Sequence, residues 1–144
     1  MTEAKKRELI NEIQEFLDNR SGFSQDKGLK LLDYKDGVVY AEIDLRPEFM
    51  NAIHCAHGGY ICTVVDMFAA TAYAFHEETG YRKENKDTTL SLNVNYLSRL
   101  AGPVLKCEAR LVKYGKHIRV CQVDIFDGDC KEPGANAVVT YYRA

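Results

Sequence analysis

The feature that most constrains the fold is an apolar stretch between residues 58 and 75, in which Asp66 is the single charged residue. A helix that is apolar around its whole circumference has to be buried on all sides. The uninterrupted apolar part is nearer to about 15 residues than to the roughly 20 that a bilayer requires. A carboxylate at its centre also opposes membrane insertion by about 2.5 to 3.5 kcal/mol. The sequence therefore predicts a buried central helix, which ends at the polar residues 76–80 with Gly80 as its stop.

The segments around this helix alternate between apolar and polar residues, as β-strands do. The predicted strands cover residues 28–33, 38–45, 88–97, 104–113, 117–126 and 135–143. In 88–97 strict alternation places Leu90, Leu92, Val94 and Tyr96 on one face and Thr89, Ser91, Asn93 and Asn95 on the other. Short turns, such as Asp36-Gly37, join consecutive strands and favour an antiparallel sheet.

The N-terminal segment, about residues 3–19, predicts an amphipathic helix. Its apolar residues recur at helical spacing and are Leu9, Ile10, Ile13, Phe16 and Leu17. The order of helix, two strands, buried helix and four strands predicts an α+β fold, in which a curved antiparallel sheet wraps around the long central helix. At 144 residues, near the commonest domain size, we expect a single domain over 1–144 with its core at about 28–143.

Composition excludes several classes of protein. The net charge of −2 gives no basic field for nucleic acid. Five cysteines, an odd number without paired spacing, fit a reducing compartment better than a disulfide framework. Residues 1–14 carry charges of both signs and lack the apolar core of a signal peptide. We therefore expect a cytoplasmic protein that binds neither nucleic acid nor a membrane.

Asp66 is the first candidate site residue. Burying an unpaired carboxylate costs several kcal/mol, so an exposed helix stripe is the structural alternative. The helical neighbours of Asp66 do not form such a stripe; they are Cys62, Thr63, Ala69, Ala70 and Tyr73. Half-buried carboxylates of this kind serve enzymes as bases or nucleophiles.

The residues before the central helix form a second candidate group. His57-Gly58-Gly59 opens the helix, where backbone N–H groups lack internal partners and can stabilise an oxyanion. A plain loop-to-helix turn is the alternative, and Asn51 is by type a turn residue.

Metal and cysteine chemistry are weaker interpretations. The nearest zinc-like set has no tetrahedral ligand spacing and consists of His54, Cys55, His57 and Cys62. No cysteine stands beside an evident base. Cys107 and Cys121 fall on inward strand faces, and the acidic loop around Cys130 does not fit an EF-hand. We expect no metal and no redox cofactor.

Three motifs stand out when they are taken together: residues 51–59 read NAIHCAHGG, residues 63–66 read TVVD, and residues 89–98 read TLSLNVNYLS. In this combination the sequence resembles the hotdog-fold acyl-CoA thioesterases, and among them the phenylacetic-acid-degradation (PaaI-like) branch. The resemblance runs from about residue 28 to 142. It implies a long helix wrapped by an antiparallel sheet, and hydrolysis of a thioester to a carboxylic acid and free CoA.

The resemblance also implies roles for individual residues. Asp66 corresponds to the general base or nucleophile, and the Gly58 N–H corresponds to the donor that polarises the thioester carbonyl. Gly59 supports the turn and Asn51 orients the attacking water. His57 positions the thioester.

Further implied contacts come from outside the central helix. Thr89 corresponds to a hydroxyl that reaches the site from the next strand. The residues implied in binding the CoA moiety are Tyr96, Arg99, Lys113, Gly115, Lys116 and His117, with Arg119 just beyond. A solvated basic hairpin tip is the alternative for the last group.

The resemblance further implies a homodimer, or a homotetramer built as a dimer of dimers, with its site at the dimer interface. Nine residues turn a helix by about 900°, which puts His57 and Asp66 on opposite sides.

The sequence departs from the family at Leu100, at Ala70 and in the loop 128–136. A non-catalytic acyl-CoA-binding module or sensor stays open as the alternative. A hotdog hydratase requires a different histidine–acid arrangement, which we do not find.

Overall fold

The computed structural model of the protein describes residues 1–19, 28–78 and 87–144. Its helices and strands follow one another in the predicted order. They are α1 (Glu3–Asp18), β1 (Leu29–Lys35), β2 (Val38–Asp44), α2 (Gly58–Glu77), β3 (Asp87–Tyr96), β4 (Val104–Tyr114), β5 (Ile118–Asp127) and β6 (Ala135–Arg143). A short 3₁₀ turn, Pro47–Phe49, precedes α2.

The strands form one six-stranded sheet in the order β1-β2-β4-β5-β6-β3. Every neighbouring pair is antiparallel. The short connections predict this for β1-β2, β4-β5 and β5-β6, whereas β2-β4 and β3-β6 pair strands that are not consecutive in the chain. Alternate residues of the central strands are buried against α2, among them Cys107 and Cys121, so both cysteines lie in the core as predicted. The α+β fold with a curved sheet around one long helix is confirmed.

The helix α2 is buried along most of its length. Phe68 and Phe75 are fully enclosed, and Tyr73 is 2% exposed. By length and composition α2 could span a membrane, but 72% of its most apolar 18-residue stretch is buried inside the protein. Its C-cap is Glu78 in a left-handed backbone conformation, whereas Gly80, the predicted stop, lies outside the described residues.

The first hairpin turns where the sequence predicts. Asp36 and Gly37 both have positive φ angles, of 52° and 78°. This pair of left-handed residues matches the right-handed twist of the strands that it joins. The hairpin brings β1 to one edge of the sheet.

The side chain of Gln14 on α1 covers that edge. Its Nε2 donates to the Leu29 carbonyl at 3.0 Å, and its Oε1 accepts from the Leu31 N–H at 2.7 Å. One amide side chain thus takes the place of a neighbouring strand at the first three residues of β1. An edge covered by a helix is a poorer template for pairing with another chain.

The opposite edge of the sheet is β3, and it is exposed on both faces. Leu92 is 37% exposed and Tyr96 is 51% exposed, although both point to the α2 side of the sheet. No other described segment pairs with the free edge of β3. An apolar, uncovered edge strand is a template for pairing with another chain.

The predicted strict alternation along β3 is wrong at its start. The register shifts between Thr89 and Ser91, so Leu90 is an extra, bulged residue. Thr89 pairs with the inward-facing Tyr141, and Tyr96 pairs with the buried Ala135. The bulge therefore places Thr89 on the same face as Tyr96, because one extra residue reverses the side-chain phase.

Candidate functional site

The centre of the site is Asp66, which is half-buried in the middle of α2. The Thr89 hydroxyl donates to the Asp66 Oδ1 at 2.8 Å. The Tyr141 hydroxyl donates to the Asp66 backbone carbonyl at 2.7 Å. Two strands thus fix both the side chain and the backbone of this residue.

The beginning of α2 forms the second part of the site. His57 is the N-cap, its side chain makes no capping hydrogen bond, and it is exposed. Its backbone N–H donates to the Phe49 carbonyl at 2.8 Å. The N–H groups of the first turn have no carbonyl partner within the helix. With no capping side chain over them, the Gly58 and Gly59 amides can donate to an incoming oxygen.

Tyr96 binds this first turn from β3. Its hydroxyl donates to the Gly58 carbonyl at 2.6 Å and lies 3.2 Å from the Cys62 Sγ. Two causes raise the pKa of Tyr96 to about 12: the larger is burial of the hydroxyl, and the smaller is its hydrogen bond with Cys62. Tyr96 is therefore a protonated donor near neutral pH.

Asn51 shapes the loop before α2. Its Oδ1 accepts from the N–H groups of Ile53 and Cys55, both at 3.1 Å. This is the turn role that its residue type predicts. The role uses the side-chain oxygen, and the Nδ2 group can still donate to a water molecule.

Within one chain, the predicted residues fall into two groups rather than one. Asp66 and Thr89 lie at the middle of α2, whereas Asn51, His57 and Gly58 lie at its start. Gly58 precedes Asp66 by eight residues, which is about 12 Å along a helix. A thioester carbonyl cannot contact both groups of the same chain at once.

An open cavity of about 350 Å³ adjoins the start of α2. Its walls come from the loop before α2, from the first turn of α2 and from the segment after β3, including Ile53, Ile61 and Leu97 respectively, and Arg99 is part of the lining. A mainly apolar cavity with one cation suits a ligand that has an apolar arm and an anionic end.

The basic hairpin between β4 and β5 lies at the other end of α2. The Tyr114 hydroxyl donates to the Glu77 Oε1 at 2.8 Å, and the His117 Nδ1 lies 3.0 Å from the Arg143 carbonyl oxygen. Lys113 and Lys116 are exposed. The hairpin is thus separated from Arg99 by the length of a 20-residue helix, about 30 Å.

Arg119 was expected to add a cation to the surface of this hairpin, and the structure places it elsewhere. It is 3% exposed, lies over the Tyr114 ring at 4.7 Å, and its Nε is 3.6 Å from the Glu77 Oε1. Its strand position faces inward, where Glu77 is the nearest countercharge. Arg119 therefore belongs to the core at the C-terminal end of α2, not to the exposed hairpin surface.

A buried ion-pair network at this end of α2 was not evident from the sequence. Arg143 donates to both carboxylate oxygens of Asp87 at 2.7 Å and to Glu77 at 2.8 Å. Burial opposes ionisation of Asp87, but the bonds from Arg143 outweigh it and lower the pKa of Asp87. The partners are far apart in the chain, so only the pairing of β3 with β6 brings them together.

Two of the four candidate zinc ligands make other contacts within the chain. Cys55 is buried, with its Sγ 3.6 Å from the Ile53 carbonyl, and Cys62 contacts Tyr96. Across residues 1–19, 28–78 and 87–144, no three histidine, cysteine, aspartate or glutamate side chains come together as metal ligands.

Comparison with known proteins gives both sequence and structural relatives. The chain is 22% identical over 113 residues, 78% of this chain and 69% of the other, to a protein of Archaeoglobus fulgidus named as a candidate esterase. A Streptococcus mutans protein solved with acetyl CoA superposes with a TM-score of 0.69 and 24% identity, covering 89% of this chain and 95% of that one. A phenylacetic acid degradation-related protein of Ralstonia eutropha, named as a candidate thioesterase, gives a TM-score of 0.72 and 17% identity, covering 92% of this chain and 99% of that one.

The family model described as the thioesterase superfamily matches residues 54–133. This range includes the start of α2, Asp66 and Thr89. Because the match covers more than half of the 144 residues, the chain belongs to the thioesterase superfamily, and the predicted hotdog fold and thioester-hydrolase class are confirmed.

Proposed function

We propose that this chain is an acyl-CoA thioesterase that hydrolyses a thioester to a carboxylic acid and free CoA. The observation that carries the proposal is the hydrogen bond from Thr89 to Asp66. It holds a half-buried carboxylate in one orientation on an otherwise apolar helix. A carboxylate held in this way is suited to act as a base or a nucleophile.

Asp66 can act in two ways, as a general base or as a nucleophile, and both give the same products. As a general base, Asp66 takes a proton from water while the water oxygen attacks the thioester carbonyl; the C–S bond then breaks, and the proton passes to the CoA thiolate. As a nucleophile, the Asp66 carboxylate forms an acyl anhydride and expels the thiolate. Water then cleaves the anhydride, which releases the carboxylic acid, restores the Asp66 carboxylate and supplies the proton that the thiolate takes up. The hydrolysis needs no metal or redox cofactor, because a carboxylate and backbone amides supply the base and the oxyanion donor.

In either version the start of α2 serves the thioester. The Gly58 N–H donates to the carbonyl oxygen as negative charge develops, and the positive end of the helix dipole supports it. Gly59 allows close approach of the substrate to the backbone. Asn51 orients the attacking water through its Nδ2 group, and His57 contacts the thioester from the exposed N-cap position.

We propose that these two groups come together in a homodimer. Within residues 1–19, 28–78 and 87–144, no segment pairs with the free edge of β3, which carries the exposed side chains of Leu92 and Tyr96, whereas Gln14 covers part of the edge of β1. Antiparallel pairing of two β3 edges places two α2 helices side by side in opposite directions. The Asp66–Thr89 pair of one chain then faces the Gly58 turn of the other, and each dimer has two sites. A tetramer of two such dimers is compatible with this arrangement.

The same pairing brings together the proposed CoA contacts, which are far apart within one chain. Arg99 and the hairpin residues Lys113, Gly115, Lys116 and His117 lie at opposite ends of α2 within one chain. In the antiparallel dimer, the hairpin of one chain lies near the Arg99 end of its partner. Lysine and arginine can then bind the CoA phosphates, for which cations of both kinds are suited. We propose this role in a single-domain, cytoplasmic enzyme.

The test is acyl-CoA hydrolysis by Asp66→Asn, measured as release of free thiol over short, medium, long and aromatic acyl groups. We expect a loss of at least about a hundredfold, as for removal of a positioned base, while the dimer persists in solution. Asp44→Asn, at the exposed end of β2, is the matched control. Full turnover by Asp66→Asn rejects the catalytic role of Asp66, whereas acyl-CoA binding without hydrolysis by the unaltered protein excludes the enzyme and favours a binding module.

A further inference from the structure

The edge strand β3 contacts α2 through two hydroxyl groups, one near each end of the strand. Thr89 bonds the Asp66 carboxylate, and Tyr96 bonds the Gly58 carbonyl. Seven positions separate the two residues, an odd number that normally puts side chains on opposite faces. The bulge at Leu90 brings both to the α2 side. Bulges beside active sites often redirect a side chain in this way.

The Tyr96 hydroxyl takes part in a directed chain of hydrogen bonds. A phenol has one hydrogen to donate, and here it goes to the Gly58 carbonyl at 2.6 Å. The Cys62 Sγ, 3.2 Å away, is then the donor to the phenol oxygen. Cys62 follows Gly58 by one helical turn, so both partners of Tyr96 lie on the same face of α2. The hydroxyl is thus held from two points of the first turn.

The fit between Tyr96 and Gly58 also depends on the missing side chain. A Cβ placed on Gly58 would lie 3.2 Å from the Tyr96 Oη and 3.3 Å from its Cζ. Both distances are tighter than ordinary van der Waals contact. In contrast, a Cβ on the neighbouring Gly59 would meet nothing within 4 Å. The glycine at position 58 therefore gives the tyrosine ring its place against the helix.

We propose that Tyr96 is a positioning residue, whose hydroxyl restrains Gly58 through its carbonyl so that the Gly58 N–H points at the thioester oxygen. The inference rests on the proposed function. The first turn has no capping side chain from His57, and the His57 carbonyl, in the peptide that carries the Gly58 N–H, accepts from the Ile61 N–H at 3.0 Å. Tyr96 restrains the carbonyl that follows. The Gly58 residue is thus fixed on both sides, and no reorganisation is needed as charge develops.

This role predicts a kinetic signature different from that of a CoA contact. Removal of a whole oxyanion donor costs about a hundred- to a thousandfold in kcat, and loosening one costs less. For Tyr96→Phe, which removes only the hydroxyl, we expect kcat to fall about tenfold, by analogy with the loss of one hydrogen bond of about 1.4 kcal/mol. KM for acyl-CoA should change less than twofold. The loss should be equal for acyl-CoA and for a truncated thioester without the nucleotide.

The matched control is Tyr40→Phe on the outer face of β2, which should leave kcat and KM unchanged. Cys62→Ala provides a second variant, since it removes the thiol donor and should lower kcat in the same direction but by less. A rise of KM for acyl-CoA alone, with kcat unchanged, shows a CoA contact and overturns the inference. Unchanged kcat and KM overturn it too.

A measurement without substrate separates this inference from the proposed function. In ¹H–¹⁵N NMR spectra, Tyr96→Phe should shift or broaden the Gly58 and Gly59 amide resonances, whereas Tyr40→Phe should not. If the unaltered protein hydrolyses no thioester while these resonances move, the proposed function fails and the contact that fixes Gly58 stands. If the resonances do not move, the inference is wrong whatever the hydrolysis assay shows.

Discussion

The hydrogen bond between Thr89 and Asp66 gives the sharpest quantitative prediction. Thr89→Val keeps the shape and volume of the side chain and removes the hydroxyl that donates at 2.8 Å. A hydrogen bond to a charged group contributes about 1.5 to 3 kcal/mol. If that orientation is needed in the transition state, the loss corresponds to roughly a ten- to hundredfold drop in kcat, at about 1.36 kcal/mol per factor of ten. The assay is steady-state release of free CoA.

Two further variants make this prediction specific. Thr89→Ser keeps the donor and should retain most of the activity. Thr88→Val changes the neighbouring residue, which pairs with the exposed Tyr142 on the outer face of the sheet, and should have no effect on kcat. A Thr89→Val enzyme within twofold of the unaltered kcat refutes the reasoning, because the bond would then not position the reacting carboxylate.

Two other predictions address CoA recognition and stability. Lys116→Ala should raise KM for acyl-CoA several-fold and leave KM for a truncated thioester unchanged, since only the former carries phosphates; equal effects on both reject the phosphate contact. The Arg143 bonds lower the pKa of Asp87 below 3.8, so the stability that Asp87 contributes is present above that pH and is lost as the pH falls below it. Asp87→Asn should therefore be less stable than the unaltered protein at pH 7, measured by urea denaturation, and the difference should narrow towards pH 3; a difference independent of pH contradicts the linkage.

The sequence by itself determined the elements of this fold, because their signals are local. The all-round apolar stretch around Asp66 fixes a buried helix, and alternation fixes the strands. Asp36-Gly37 fixes the first turn, since only such residues readily take two successive positive φ angles. The candidate site residues could also be named from the sequence. Asp66 is a carboxylate at a position where its burial costs free energy, and glycines stand at the start of the same helix.

Only the tertiary structure decided how these residues relate in space. The bulge at Leu90 has no sequence signal in an alternating strand, yet it moves the Thr89 side chain to the face of the sheet on which it contacts Asp66. The bond of Tyr96 to Gly58 and the burial of Arg119 against Glu77 join positions far apart in the chain, where no local pattern constrains them. The uncovered β3 edge emerges in the same way, because sheet order depends on pairing free energies summed over the whole molecule. Local periodicity thus names the site residues, and long-range packing decides which of them act together.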